Sequence, residues 1–147
     1  MGVSAAKKKR GVERGWPMAT YGGRRAVRQD DAMGCGVACV AFVTGLAYNE
    51  AAACFEVPAR REARGRGYIR REMVAALKKA NSAYRLRYFG TVTGARRAQV
   101  VPSGAIVFVW NGKVGHYVVR HEDVWMCPLQ GFIPKLAQVP TCYLAPV

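Results

Sequence analysis

Gln29-Asp30-Asp31-Ala32-Met33-Gly34-Cys35-Gly36-Val37-Ala38-Cys39 is the stretch whose reading decides the fold. From Cys35 onward the chain is apolar nearly all round: Val37, Ala38, Val40, Ala41, Phe42 and Val43 leave no polar face. A helix of that composition belongs in the middle of a domain. Gly45 is placed to close it. The helix therefore opens on a cysteine. At a helix N-terminus, unpaired N–H groups and the positive end of the dipole favour a thiolate. Gly34 and Gly36 flank Cys35 and permit close approach by a second backbone or a substrate. Gln29, a side-chain amide, lies in the loop that feeds the helix.

Downstream, Tyr48 to Phe55 reads as a second short helix with Asn49 as N-cap. Pro58 to Arg71 is a basic connection with six arginines. An amphipathic helix follows, with Ile69, Met73, Ala76, Leu77 and Ala80 on one face. Tyr84 to Phe89 alternates at period two, as a half-exposed strand does. Gly90 to Ser103 is polar and turn-rich. Ala105 to Trp110, apolar throughout, suits a central strand. Asn111-Gly112 signals a type I′ hairpin into a strand from about Val114 to Arg120. His121-Glu122-Asp123 turns the chain, and Val124 to Cys127 returns antiparallel. From Phe132 to Leu144 the apolar pieces are short and punctuated by proline, so strands there are expected to be short or at edges. Helices first and an antiparallel sheet after make an α+β domain, with the Cys35 helix packed on the sheet.

The chemistry rests on two separated groups. A thiol nucleophile needs a base within hydrogen-bond reach and a donor aimed at the developing oxyanion. His116, on the Gly115-His116-Tyr117-Val118-Val119 strand, can take the thiol proton and return it to the leaving amine. Gln29 and the Cys35 backbone N–H can supply the donors. His121, the other histidine, falls in a turn and reads as an ordinary one.

The order Gln, nucleophilic Cys, then a distant His on a strand resembles that of papain-like cysteine peptidases. More narrowly, Gln29, five residues and Cys35-Gly36-Val37-Ala38-Cys39, then Pro102 to Val107 and Gly115 to Val119, resemble the bacteriocin-processing, double-glycine leader peptidase family. The likeness runs from Gln29 to about Leu129. It implies a papain-like α+β fold, Cys35 as nucleophile, His116 as base, Gln29 as oxyanion donor, and cleavage at Gly-Gly-type sites in a leader or precursor peptide. It implies no cofactor and no metal. Two departures stand out. Gly34 occupies the position of an Asp, and Cys127-Pro128 stands where the family has Asp-Pro, whose Asp orients the histidine. With a hairpin turn near Glu122, residue 116 falls opposite about residue 128, so Cys127 and Gln130 are the candidates for orienting His116, and Asp123 sits too far away.

Composition bounds the rest. At 147 residues and 51% hydrophobic, the chain is long enough for one folded domain. Residues 1–28 read as a basic arm and 29–147 as the peptidase domain. A net charge of +14 and the Lys7-Lys8-Lys9-Arg10 run would draw nucleic acid or an acidic partner to that arm. A catalytically impaired, protease-like scaffold gripping an assembly through the arm is therefore the alternative function. Five cysteines without a Cys-x-x-Cys pair, no secretory signal and no membrane-length apolar run point to the cytoplasm. Cys35, Cys39, Cys127 and His116 would make a four-ligand zinc set if they met, though the spacing is not a zinc pattern. Tyr21-Gly22-Gly23, upstream of the nucleophile, is a candidate self-cleavage site.

Overall fold

The computed structural model describes residues 18–55 and 67–147. The Lys7–Arg10 run and most of the Pro58–Arg71 connection lie outside the described residues. In chain order the elements are β1 (Thr20–Tyr21), β2 (Arg24–Arg25), α1 (Cys35–Thr44), α2 (Tyr48–Ala53), α3 (Arg70–Lys79), β3 (Tyr84–Arg87), α4 (Arg96–Val100), β4 (Ile106–Trp110), β5 (Gly115–His121), β6 (Val124–Cys127), β7 (Gly131–Ile133) and β8 (Pro140–Pro146). A six-stranded antiparallel sheet runs β3-β8-β4-β5-β6-β7.

α1 forms the centre of the helical layer. Its residues from Cys35 to Phe42 are all buried, and Gly45 ends it in the left-handed region (φ 77°), with its N–H on the Ala41 carbonyl at 2.9 Å. Together with Met73, Ala76 and Leu77 of α3 it packs on the sheet face carrying Ile106, Tyr117, Val119, Met126 and Leu144. The opposite face carries Val107, Val109, Val118, Trp125 and Cys127 and is covered by residues around α4 and the 134–139 segment. Strand alternation divides the two cores: along β5, residues 117 and 119 face the helices, and 116, 118 and 120 face away.

Several elements depart from the sequence reading. α2 is capped from Ala47, whose N–H takes the Glu50 carboxylate at 2.8 Å; Asn49 lies inside the helix. The polar stretch 90–103 contains α4, held by the Arg97 side chain, which donates to Val92 and Pro140 carbonyls. The Asn111-Gly112 hairpin is offset by one residue: the Asn111 N–H donates to the Val114 carbonyl at 3.2 Å, which leaves Gly112-Lys113 at the tip, and the Asn111 side-chain oxygen accepts the N–H groups of Lys113 and Val114. β8 is the clearest difference. It is seven residues long and lies inside the sheet between β3 and β4. Its prolines, Pro140 and Pro146, stand at its two ends, which leaves 141–145 free to donate.

Residues 18–28, assigned from sequence to the arm, lie on the domain. Met18 accepts from Phe132 N–H at 2.8 Å, Tyr21 packs on Phe132, and its hydroxyl donates to Asp123 at 2.6 Å. Arg24 lies over the Phe42 ring and donates to the Phe42 carbonyl. This ribbon leads to Gln29, whose N–H reaches the Pro128 carbonyl at 3.2 Å.

Candidate active site

Cys35 is the first residue of α1, and its position depends on the loop before it. A side chain at 34 would displace Tyr48: a Cβ would lie 2.0 Å from its hydroxyl. That hydroxyl instead contacts the Asp31 carboxylate and the Gly34 carbonyl, both at 3.4 Å. Asp31 also accepts the Met33 N–H at 3.0 Å. An Asx turn and a tyrosine therefore set the entry to the helix, in the space a side chain at 34 would need. Gly36 is also closely packed, with Met73 Sδ 2.7 Å from where its Cβ would fall.

One cavity of about 550 Å³ gathers the residues singled out in the sequence. Gln29, Cys35, His116, Cys127 and Gln130 all line it, with Met33, Val114, Leu129 and Gln138 among the others. His116 Nε2 lies 3.4 Å from Cys127 Sγ. The β5–β6 register pairs Val119 with Met126. Continued, it sets Cys127 opposite Val118, on the face that His116 shares, and His116 opposite Leu129, one residue beyond the expected partner. Gln130 lines the cavity, but its bond to Cys127 runs through the backbone, N–H to carbonyl at 3.2 Å.

The electrostatics correct one expectation. The backbone N–H groups of Tyr117, Gly36 and Cys35 itself favour the Cys35 thiolate, yet burial outweighs them and pushes the thiol up from its ordinary value. A helix N-terminus lowers a thiol only where water also reaches it, and Cys35 is 8% exposed. Burial also lowers His116. The pair therefore rests as neutral thiol and neutral imidazole. Cys127 is likewise raised by burial, against the N–H groups of Leu129 and Gln130 that face its sulfur.

Gln29 does not hold a free donor. Its side-chain nitrogen donates to the Asp31 carbonyl at 2.8 Å and the Ala32 carbonyl at 3.2 Å, while its oxygen is buried without a hydrogen-bond partner. In this state the amide braces the loop; to serve an oxyanion it must release one of those carbonyls. Among the described residues no group of three or more His, Cys, Asp or Glu side chains gathers around a metal position, so the zinc set does not form there. Cys39 is fully buried in the core. His121 is buried among Tyr21, Phe42 and Phe132, away from the cavity. Tyr21-Gly22-Gly23 forms a turn beside Glu122, with both glycines at positive φ. That is the far end of β5 from His116, about 16 Å at roughly 3.3 Å per residue, so the turn is not presented to Cys35. Val114, Leu129 and Gln138 were not legible as lining residues, because the tight loops that bring them in carry no motif of their own.

A sequence model of the Peptidase C39 family matches residues 24–124, most of the chain, including Gln29, Cys35 and His116. The chain belongs to the peptidase C39 family. No curated protein matches it. Membership in C39 makes cysteine peptidase chemistry the activity to which this cavity is to be related. The match ends before Cys127, the residue against the His116 ring. No helix among the described residues is long and apolar enough to cross a membrane.

Proposed function

We propose that the chain is a papain-like cysteine peptidase that cleaves Gly-Gly-type bonds in a leader or precursor peptide carried by another chain. The observation that supports this best is that Cys35 at a helix mouth and His116 on a strand line one cavity, with the Cys127 sulfur against the imidazole. Cys35 Sγ attacks the scissile carbonyl carbon as His116 takes the thiol proton. The tetrahedral oxyanion is held by the Cys35 N–H and by Gln29 once its amide turns from Ala32. The C–N bond then breaks, His116 protonates the departing amine, and a thioester remains. Water, deprotonated by His116, hydrolyses the thioester and returns the thiol. Cys127 orients the imidazole from behind, in place of a carboxylate.

The chemistry needs small residues at the bond because Cys35 is recessed. A quenched peptide with a central Gly-Gly should be cut by the wild type, and not by Cys35→Ala or His116→Ala. A second reading, a protease-like scaffold without turnover, is favoured by the raised Cys35 thiol and the missing carboxylate. Iodoacetamide labelling at neutral pH separates the two. Faster labelling at Cys35 than at Cys54 that depends on His116 indicates an enzyme. Labelling at the Cys54 rate, unchanged by His116→Ala, indicates the scaffold.

A further inference from the structure

β3 ends the sheet. In the order β3-β8-β4-β5-β6-β7 it is paired on one side only, with β8. The register shows which backbone groups that leaves open. The Val147 N–H reaches the Ala83 carbonyl at 2.9 Å, so residues 83 and 147 form a hydrogen-bonded pair. In an antiparallel ladder such pairs alternate with non-bonded ones. Arg85 and Arg87, opposite Ala145 and Tyr143, therefore turn their backbone groups to β8. Tyr84 and Leu86, opposite Pro146 and Leu144, turn theirs outward. Pro146 thus stands where the ladder asks for no N–H.

The side chains of β3 divide in the same alternation. Tyr84 and Leu86 are half-buried and pack against the core on the helix side. Arg85 and Arg87 are exposed on the opposite face, which Tyr143 shares by its pairing with Arg87. They stand roughly 6.6 Å apart, two residues along a strand. Among the described residues neither is in an ion pair. From Lys78 to Arg97 the chain has six Lys and Arg and no acid, so no neighbour in sequence offsets them.

An open edge accepts a further strand, and charge decides which one. A second copy of β3 laid antiparallel would set arginine against arginine on one face, which is destabilising. A single-stranded nucleic acid would find cations but little to stack on, because Tyr84 is half-buried with its hydroxyl on the Gly104 carbonyl at 2.7 Å. An extended protein segment that alternates acidic and apolar residues satisfies both faces. Its carboxylates lie beside Arg85 and Arg87, its apolar side chains lie beside Tyr84 and Leu86, and its backbone closes the open groups.

We propose that the open edge of β3 docks such a segment of a partner protein, which joins antiparallel as a seventh strand. β3 is three strands from β5, about 14 Å at the usual strand spacing, and none of its residues lines the Cys35–His116 cavity. Docking there is independent of turnover at Cys35. In antiparallel pairing the residues opposite Tyr84 and Leu86 exchange both backbone bonds with them. The apolar residues of the partner therefore carry the bonded N–H groups, and the N–H groups of its acidic residues point away.

The test uses the full chain and a fluorescent peptide of alternating Glu and Val, read by anisotropy. In low salt it should bind at least about tenfold tighter than an alternating Lys and Val peptide, and the double variant Arg85→Glu/Arg87→Glu should reverse that order. Both positions are exposed, and an unchanged melting temperature checks that the double variant is folded. N-methylation of the valines should abolish binding, and N-methylation of the glutamates should leave it. Amide hydrogen exchange gives a second readout. On peptide addition the Tyr84 and Leu86 amides should slow by about tenfold or more, while those of Arg85 and Arg87, already in the ladder, keep their rates. Failure of the Glu peptide to bind, full binding after valine methylation, or unchanged exchange at Tyr84 and Leu86 would overturn the proposal. So would an oligouridylate that binds through Arg85 and Arg87 more tightly than the Glu peptide does.

Discussion

Replacing Cys127 with Asp asks most directly what holds His116. Cys127 is 3% exposed, its sulfur lies 3.4 Å from His116 Nε2, and the Leu129 and Gln130 N–H groups face the same atom. A thiol accepts weakly from three such donors; a carboxylate would accept from all of them with a full charge. The backbone at 127 is thus already arranged for an anion. Burial now keeps His116 below its ordinary value of 6.5. A carboxylate at about this separation favours the imidazolium, so the shift must be upward. At an effective dielectric of about 20 the Coulomb interaction is about 5 kcal/mol, a ceiling of more than three pKa units. His116 is only partly buried, and solvent screening cuts that ceiling, so a rise of about 1–2 units is expected.

The chain has two histidines, so imidazole NMR during a pH titration resolves His116 from His121. In Cys127→Asp the His116 resonance should titrate higher than in wild type; in Cys127→Ala it should not. On the proposed function, Cys127→Asp should also raise kcat/KM on a Gly-Gly peptide by about tenfold or more, because a fixed imidazole is correctly placed for both proton transfers. The acid limb of its pH profile should move up with the NMR value. A His116 that titrates no higher with Asp at 127 than with Cys would refute the assignment of residue 127 as the group behind the ring.

Two further outcomes follow from packing and burial. Gly34→Ala drives a methyl into the Tyr48 hydroxyl and should cost about 1–3 kcal/mol in urea unfolding, most of it recovered in a Tyr48→Phe background; an equal cost in both backgrounds would mean that Tyr48 is not the obstacle. Burial raises Cys35, Cys39, Cys127 and Cys142 above 9.0, Cys39 most clearly, and Tyr84 to about 12. The folded chain therefore keeps protons that the unfolded chain releases, so the melting temperature should fall as pH rises beyond 9. His116 works in the other sense: its folded value is lowered, so stability should also decline on acidification below 6.5. A melting temperature that keeps climbing above pH 9 would contradict the burial of these thiols.

Local pattern carried the parts of this molecule that local forces decide. The α1 helix, the amphipathic α3 face of Met73, Ala76 and Leu77, and the alternation of β3 were legible because burial follows periodicity directly. The approach of Cys127 to His116 was legible for a similar reason: a two-residue turn at Glu122-Asp123 sets the β5–β6 register, and register sets faces. What escaped was decided by long-range partners. α4 is too short to show a period and is held by Arg97 reaching the Pro140 carbonyl across the fold. Proline in the 132–144 stretch signals an edge, yet Pro140 is the first residue of β8, where a missing N–H costs the ladder nothing further along the strand. The state of Cys35 shows the same limit in energetic form. Its place at a helix mouth is written in the Gly34-Cys35-Gly36 triplet and favours the thiolate, but the burial that opposes it comes from a core assembled from elements dozens of residues away. Sequence placed Cys35 at the helix mouth; only the packed core determines its protonation, and on the proposed function His116 would then act as a base during attack instead of holding a preformed ion pair. On the proposed function, turnover depends on whatever steadies the neutral imidazole, and the atom that lies against it, the sulfur of Cys127, stands outside the segment that matches the family.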